Sequence, residues 1–332
     1  MTPDKVRWGV LGCARIARTR VIPAMQPAQG VELLAIASRE AERARATAAQ
    51  FGFQRTYASY EALLADPDVE AVYIPVPNKF HREWTIAALQ AGKHVLCEKP
   101  LALNAAEARE MASAAWAADR YLLEAFMYRF APTIQETLRR LRAGAIGAPQ
   151  TLHAAFSFAI PDDPANVRLQ AAIGGGCLYD IGCYCLNALR MTAGREPRRA
   201  WASLDWSPRY HVDTQGAGVL DFGEGLFGTF NTGFRSPGGT YLRVTGSEGI
   251  LELPDGWFTP GAPEARLVMT RGDHTETTVI AMQNPYTLEV EDLSAAIRGV
   301  HPPQFGDEPL DATMRVLDAC FAADRAGGFV AV

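Results

Sequence analysis

The sequence predicts two domains: a doubly wound parallel α/β domain, followed by an α+β domain built on a mostly antiparallel sheet. With 332 residues, the chain is too long for one ordinary hydrophobic core. Up to residue 124, short apolar runs alternate with helical patterns, which is typical of a parallel sheet with right-handed crossovers. After about residue 145, strand patterns follow one another across turn residues. We therefore predict domains 1–124 and 125–332.

In the first domain, each apolar run precedes a helical pattern. The predicted strands are VRWGVLG, VELLAIAS, EAVYIPV, KHVLCE and YLLEAF. The predicted helices cover residues 15–29, 40–51, 81–91 and 105–119. Strands that alternate with helices in this way pair in parallel, with the helices on both faces of the sheet.

In the second domain, the strand patterns are separated by turn sequences such as PGG, SEG and RGD. The predicted strands are TLHAAFSFAI, RRAWASLDWS, GAGVLDF, GLFGTFNTGF, TYLRVTGS, GILELP, ARLVMTRG and TETTVIAM. Helical patterns cover residues 174–190, 287–298 and 311–326. One face of this sheet is rich in Phe, Trp and Tyr, and the few helices look insufficient to cover it.

The composition excludes several classes of partner and site. A net charge of −5 with scattered Lys and Arg gives no footprint for nucleic acid or an anionic membrane. No apolar run reaches the roughly 20 residues that span a bilayer, and the N-terminus lacks a signal-peptide pattern, so we predict a cytoplasmic protein. The six cysteines match no zinc or disulfide spacing. We predict buried thiols and no metal site.

A dinucleotide fingerprint follows the first strand. In WGVLGCARIA, the pattern Gly12-x-Ala14-x-x-Ala17 occupies the fingerprint positions. The first position makes the tight turn, and the following helix offers N–H groups to a phosphate. Ala14 departs from the pattern, because its methyl group lies where the phosphates come closest, and an ordinary strand-to-helix turn is the alternative. The α/β context favours a Rossmann nucleotide site.

The end of the second strand predicts which nicotinamide cofactor binds. Ser38 and Arg39 stand where an acid would bind the ribose 2′-hydroxyl of NAD, and Arg43 lies one helical turn on. A guanidinium complements a 2′-phosphate that a carboxylate would repel. The sequence therefore favours NADP(H) over NAD(H). The alternative is a solvated basic helix start.

Two further stretches carry candidate reactive groups. HVLCEKPLAL ends a strand with Glu98 and Lys99, and Pro100 shapes the turn beyond them. In GGGCLYDIGCYCLNALR, Asp180 and Tyr184 are four residues apart, so they share one face of a helix. Each residue also has a purely structural alternative: Lys99 as a solvated lysine, Asp180 as a helix-start acid and Tyr184 as a core aromatic residue.

These stretches, together with IPVPNKFHREWTIAALQAGKHVLCEKPL and EAFMYRFAPTIQETLRRL, resemble the glucose-fructose oxidoreductase/inositol dehydrogenase (Gfo/Idh/MocA) family. They are most similar to its branch of NADP-dependent D-xylose and dihydrodiol dehydrogenases. The resemblance implies that Lys99, Asp180 and Tyr184 line the substrate side of the nicotinamide. It also implies that the second domain is a large open-faced sheet, through which a homodimer or homotetramer forms.

Oxidation of an alcohol needs a base for the hydroxyl proton, and Lys99 could stabilise the Tyr184 phenolate that supplies one. His81 is a second acid–base candidate, and a structural role for this histidine at the start of a helix is at least as well supported by the sequence. The predicted substrate-binding residues are Tyr128, Arg129 and Arg168, and Arg168 could instead only hold a loop. The predicted cofactor-binding residues are Gly12, Ala14, Arg15, Ile16, Ser38, Arg39, Arg43, Pro75, Asn78, His81, Glu98 and Lys99.

The predicted function is NADP(H)-dependent hydride transfer to or from a sugar or polyol carbon. A dihydrodiol or another cyclic alcohol is the alternative substrate. A non-catalytic NADP-binding sensor and glycoside hydrolysis through transient oxidation also remain open.

Overall fold

The computed structural model describes residues 4–257 and 261–332, and these form two sheets and two compact units. The strands are β1 Val6–Leu11, β2 Val31–Ala37, β3 Arg55–Tyr57, β4 Ala71–Ile74, β5 His94–Glu98, β6 Leu122–Ala125, β7 Pro149–Ser157, β8 Arg199–Trp206, β9 Asp213–Gly223, β10 Leu226–Gly233, β11 Gly239–Gly246, β12 Ile250–Leu253, β13 Glu264–Arg271, β14 His274–Ala281 and β15 Val330–Ala331.

The α-helices are α1 Ile22–Met25, α2 Ala41–Phe51, α3 Tyr60–Leu64, α4 His81–Gln90, α5 Ala105–Ala118, α6 Pro132–Arg142, α7 Cys183–Ala193, α8 Pro285–Ile297 and α9 Ala312–Ala326. A π-helical turn, Ala17–Val21, leads into α1, and a second, Leu178–Gly182, leads into α7. Short 3₁₀ turns connect several of the remaining elements.

The first sheet is parallel, as predicted. In the described chain it has six strands in the order β3-β2-β1-β4-β5-β6. The order reverses direction between β1 and β4, and in open α/β sheets ligands bind beyond the carboxyl ends of the strands at such a point. β3 was missed in the sequence because only three residues pair and none of them is buried.

The N-terminal unit contains the described residues up to Met127 and also Asn284–Asp311. Within this returning segment, α8 packs against α1 and β2. Trp8 Nε1 donates a hydrogen bond to Ser294 Oγ (3.1 Å), and Thr287 Oγ1 donates one to the Ala24 carbonyl (2.9 Å). The segment therefore belongs with the first sheet, whereas the sequence pattern predicted it in domain 125–332.

The C-terminal unit holds the second sheet and contains the described residues of Tyr128–Gln283 together with Ala312–Val332. The described strands follow the order β14-β13-β12-β11-β7-β10-β9-β8-β15, and they pair antiparallel except for β7 with β10. Helices α6, α7 and α9 pack on this sheet. Along β10, buried Phe230 alternates with exposed Phe227, so one face is covered and the other is open. The mostly antiparallel prediction is confirmed.

The composition also led to expectations about thiols, metals and membranes. All six cysteines are buried free thiols, as predicted. Within residues 4–257 and 261–332, no cluster of three or more His, Cys, Asp or Glu side chains is arranged to hold a metal ion. None of the helices in these ranges combines the length and apolar character needed to cross a bilayer.

Candidate active site

The turn after β1 is fixed by its backbone. Gly12 has a φ of +119°, a conformation that L side chains rarely adopt, and its N–H donates to the Ala37 carbonyl at 2.9 Å. A Cβ built on Gly12 would lie 3.1 Å from the hydroxyl oxygen of Tyr60. The helix that follows begins at Arg15, directly after half-buried Ala14. A glycine is thus required at the first fingerprint position.

Several guanidinium groups surround this turn. Arg43 Nη2 and Arg18 Nε donate to the Cys13 carbonyl, at 2.9 and 3.2 Å. Arg39 is exposed at the end of β2, and buried Ser38 accepts the Glu40 N–H on its hydroxyl (3.2 Å). Arg43 therefore braces the turn, a role that the sequence did not reveal, and Arg39 extends into solvent.

The turn after β5 carries Lys99, which is half-buried. Glu98 Oε2 accepts the Lys99 N–H at 3.3 Å, and Glu98 Oε1 accepts the Tyr73 hydroxyl at 2.5 Å. Beyond Pro100, the Leu101 N–H donates to Glu124 Oε1 at 2.8 Å. Residues from β4, β5 and β6 thus hold the backbone on both sides of the lysine.

His81 also supports this turn. Its imidazole is fully buried, with Nδ1 2.8 Å from the Pro100 carbonyl oxygen and Nε2 2.8 Å from that of Val76. Burial lowers the pKa of His81 to about 4, although the hydrogen bonds to the Pro100 and Val76 carbonyls act in the opposite direction. With both ring nitrogens against backbone carbonyls, the geometry favours the structural role over proton exchange.

Glu98, the residue before Lys99, belongs to a buried cluster with Glu289, Tyr73 and Tyr286. Burial raises the pKa of Tyr73, and the negative charges of Glu98 and Glu289 raise it further. Burial likewise raises the pKa of Tyr286, and the charges of Glu98 and Glu289 add to the effect. Tyr286 and Glu289 both lie on α8, so the returning segment completes this cluster.

In the C-terminal unit, two of the glycines that open the stretch GGGCLYDIGCYCLNALR are required by packing. A Cβ on Gly175 would lie 2.7 Å from the Arg168 carbonyl oxygen. Gly176 has a φ of +118°, and its Cβ would lie 2.1 Å from Asp213 Oδ1. Asp213 Oδ2 accepts the Leu178 N–H at 2.6 Å and the Cys177 thiol at 3.1 Å. A buried carboxylate therefore caps the first turn of the helix.

Asp180 lies in the π-helical turn before α7, where an acid also complements the helix dipole. Arg168 Nε donates to Asp180 Oδ2 at 2.5 Å, and the Arg168 guanidinium lies 5.5 Å from the centroid of the Phe158 ring. The loop that contains Arg168 also accepts the Gly176 N–H on its backbone (2.9 Å). Arg168 therefore orients the carboxylate, and its loop supports the helix start.

Tyr184 is only 6% exposed, and aromatic rings of the described residues pack against it. The ring centroids of Phe156, Tyr128 and Trp257 lie 5.6, 5.7 and 6.3 Å from its own. Such packing excludes water from the phenol and fixes the ring.

Tyr128 and Arg129 are buried beside α7. The Tyr128 hydroxyl and Arg129 Nε donate to Asn187 Oδ1, at 2.6 and 2.9 Å. Asn187 Nδ2 in turn donates to Thr313 Oγ1 at 3.0 Å, which ties α7 to α9. These contacts position α7, and the sequence did not distinguish this role from substrate binding.

The other predicted cofactor residues of the N-terminal unit lie along one edge of the first sheet. Gly12, Ser38, Pro75 and Lys99 directly follow β1, β2, β4 and β5, and the carboxyl ends of parallel strands meet at one edge. Arg15 and Ile16 begin the helix after the Gly12 turn, and half-buried Asn78 begins the 3₁₀ turn before α4. A tight turn, a helix start and guanidinium groups together fit a dinucleotide phosphate.

Two protein-family models match this chain. Residues 6–126 match the oxidoreductase family with an NAD-binding Rossmann fold, and residues 134–252 match the GFO/IDH/MocA C-terminal domain. The chain belongs to the GFO/IDH/MocA oxidoreductase family. The resemblance found in the sequence is confirmed, and so is the prediction of an oxidoreductase.

Three proteins similar to this chain have names that describe different substrates. The chain is 36% identical to D-xylose 1-dehydrogenase (NADP(+)) 2 of Haloferax volcanii, over 97% of this chain and 98% of that protein. It is 30% identical to trans-1,2-dihydrobenzene-1,2-diol dehydrogenase of Xenopus laevis, over 87% and 84%. A 3-ketoreductase from Actinomadura kijaniata, solved with NADP and TDP-benzene, matches with a TM-score of 0.90 and 30% identity, over 96% and 98%. The two names that specify a cofactor agree with the NADP(H) prediction.

Sequence reasoning missed several residues that hold the candidate groups. Asp213 lies 35 residues beyond Leu178, and Tyr73 lies 25 residues before Glu98, so no local pattern links either pair. One signal was available for Asp213, because three consecutive glycines before a helix indicate a place where another group approaches the backbone closely.

Proposed function

We propose that this family member is an NADP(H)-dependent oxidoreductase that moves hydride between the nicotinamide and a carbinol or carbonyl carbon of a sugar or polyol. One observation carries the proposal. At the start of α7, Arg168 orients the Asp180 carboxylate, and four residues further on the Tyr184 phenol is shielded by aromatic rings. An oriented carboxylate and a shielded phenol are suited to handling an alcohol proton.

In this proposal Tyr184 gives or takes the hydroxyl proton at its phenol oxygen. A phenol titrates near 10 unaided, so proton transfer needs a positive charge, and we assign that charge and the polarisation of the substrate oxygen to the ammonium group of Lys99. Asp180, held by Arg168, orients a neighbouring substrate hydroxyl. Phe156 and Trp257 keep water from the proton-transfer group.

For the cofactor, we propose that the Gly12 turn and the helix start at Arg15 bind the pyrophosphate, and that Arg39 with Ser38 binds the 2′-phosphate. Arg43 holds the turn through the Cys13 carbonyl. The backbone around Lys99 is braced by Glu98, which fixes the point from which the lysine side chain extends. When bound, NADP(H) supplies or accepts the hydride.

A cyclic diol is the second candidate substrate. The aromatic rings of Phe156, Tyr128 and Trp257 around Tyr184 favour a flat, apolar ring that carries hydroxyl groups. The sugar is preferred because the xylose dehydrogenase shares more identity over more of the chain than the diol dehydrogenase does.

The experiment is a substrate panel of aldoses, polyols and trans-dihydrodiols, each with NADP⁺ and NAD⁺, followed by the absorbance of reduced nicotinamide. We expect turnover of an aldose with NADP⁺. Turnover of the diols alone would select the second candidate. Cofactor binding without turnover of any substrate would favour the sensor, and product formation without net cofactor change would indicate glycoside hydrolysis.

We also propose that the chain forms a homodimer or homotetramer through the open face of the second sheet. This face presents Phe227, which is 41% exposed, with half-buried Trp201 and Tyr241. A second copy of the same face would cover these rings. Light scattering at micromolar concentration tests the assembly, and a monomer there would exclude it. The cytoplasmic location stays a prediction.

A further inference from the structure

The hydroxyl of Tyr60, a residue outside the predicted cofactor set, lies against the dinucleotide turn. A Cβ on Gly12 would be 3.1 Å from this oxygen and 3.9 Å from the ring carbon that bears it. The same Cβ would be 3.9 Å from Val76 Cγ1, in the loop after β4. The phenol therefore reaches from the start of α3 to the first fingerprint glycine.

The ring of Tyr60 is held in this place by its neighbours. Ser59 caps α3 by accepting the Ala62 N–H on its hydroxyl at 3.1 Å, which fixes the backbone at residue 60. The Trp84 ring packs edge-on against Tyr60, with 4.8 Å between the centroids. A tyrosine fixed in this way presents its hydroxyl in one direction.

The charges near the hydroxyl are those assigned to the phosphorylated cofactor. Burial raises the pKa of Tyr60, and the positive charges of Arg39 and Arg43 act in the opposite direction. In a dinucleotide fold, the adenosine ribose lies between the first glycine turn and the end of the second strand. The Tyr60 hydroxyl lies beside the first of these, 3.1 Å from a Cβ built on Gly12, and the positive charges of Arg39 and Arg43 at the second act on it.

We propose that Tyr60 is a further cofactor-binding residue, whose hydroxyl hydrogen-bonds the adenosine ribose of NADP(H) or the 2′-phosphate on that ribose. This assignment rests on the proposed function. The ring alone would already explain why residue 12 is glycine, so the hydroxyl must be tested separately from the ring.

The test is the Tyr60→Phe variant, which keeps the ring and its Trp84 contact. Titration with NADPH and with NADH, followed by nicotinamide fluorescence, gives both dissociation constants. Loss of one hydrogen bond predicts a roughly three- to tenfold weaker complex. Weakening of NADPH alone identifies the 2′-phosphate as the acceptor, and equal weakening of both cofactors identifies the ribose.

The matched control is Tyr57→Phe, because the Tyr57 hydroxyl donates to Asp66 at 2.8 Å. The control should bind both cofactors as the unmodified protein does, and thermal melting should show both variants folded. Unchanged affinity of Tyr60→Phe for both cofactors, or an equal loss in Tyr57→Phe, overturns the assignment. An unmodified protein that binds neither cofactor would instead overturn the proposed function, and this assignment with it.

Discussion

Lys99 and Tyr184, the two side chains assigned to charge and proton control, are held by different kinds of structure. The backbone at Lys99 is braced by Glu98 and Tyr73, from the ends of neighbouring parallel strands. The helix that carries Tyr184 starts against Asp213, a single carboxylate from the beginning of β9.

The two arrangements differ in how many residues support the local backbone. Parallel strands place several side chains at one edge together, so the Lys99 turn has supports from three strands and from His81. The helix start depends on Asp213, with Gly176 kept free of a side chain to admit it, and on the backbone of the Arg168 loop, which accepts the Gly176 N–H. We expect single substitutions to be tolerated better at the first place than at the second.

The largest expected effect is at the phenol. Tyr184→Phe keeps the ring packing but removes the hydroxyl proposed to exchange the proton, so kcat should fall by about 10²–10⁴-fold. Cofactor affinity should stay unchanged. Lys99→Met should lower kcat comparably, and the double variant should lose less than the sum, because the two groups act as a unit.

Tyr128→Phe is the control for this pair, since its hydroxyl bonds Asn187 rather than a reacting group. It should lose stability through one buried hydrogen bond and retain most of its turnover. Near-normal turnover of Tyr184→Phe would assign that tyrosine to the core instead.

The helix start can be tested through its cap. Asp213→Ala leaves the buried Leu178 N–H without its acceptor, which should lower the free energy of unfolding by about 2–3 kcal/mol. The turnover number should fall as well, whereas NADPH affinity should not change. Asp213→Asn keeps an acceptor oxygen and should recover part of both losses. Chemical denaturation and steady-state kinetics measure them, and an Ala variant as stable as the original would remove the capping role.

Substitutions of Arg39 and Arg43 should affect cofactor affinity in different ways. Arg39→Ala should weaken NADP(H) by about 1.5–3 kcal/mol and leave NAD(H) little changed, because a charge-assisted contact to the 2′-phosphate is lost. Arg43→Ala removes the brace on the Cys13 carbonyl, so it should weaken both cofactors. Calorimetric titration decides between them. Equal affinity of the unmodified protein for NADP(H) and NAD(H) would contradict the assignment of Arg39.

The smallest effect concerns acid stability. Burial alone would raise the pKa of Glu70, but hydrogen bonds from Arg298 and Arg7 outweigh it and lower the pKa from 4.5 to about 2. A lowered carboxyl pKa stabilises the fold above about pH 4.5, and this contribution is lost as the pH falls towards 2.

Glu70→Gln should therefore cost about 1–2 kcal/mol at pH 7 and flatten the stability curve between these pH values. Glu136 in the C-terminal unit also has a pKa lowered to about 2, chiefly by Arg139. That arginine is 65% exposed, so Glu136→Gln should cost under about 1 kcal/mol. Urea unfolding across the acid range compares the two variants, and a larger loss for Glu136→Gln would reverse the expected ranking.

Much of the fold was predictable because it rests on periodic patterns. Alternating strands and helices gave five of the six parallel strands, and turn sequences separated most strands of the second sheet. The short strand β3 and helix α6 were missed, and the returning segment was placed in the other domain. Their positions are set by contacts such as Trp8 with Ser294, 286 residues apart, which no local pattern encodes.

In the candidate site too, some residues were predictable from local motifs and others were not. Lys99, Asp180 and Tyr184 were identified from short motifs. The groups that hold them, including Asp213, Arg168 on Asp180 and Arg43 on Cys13, emerge only from tertiary contacts. The sequence suggested substrate or phosphate binding for Arg168 and Arg43, since a polar side chain near a site does not reveal which neighbour it meets.

The returning segment Asn284–Asp311 has a consequence for biosynthesis. Trp8 and Ala24 obtain their partners, Ser294 and Thr287, from residues that are translated 286 and 263 positions later. The first sheet can assemble early, but Tyr286 and Glu289 join Tyr73 and Glu98 only once α8 has emerged. A nascent chain halted after the first sheet would thus carry the motif residues of the nucleotide turn. It would lack α8, whose side chains complete the packing of this sheet.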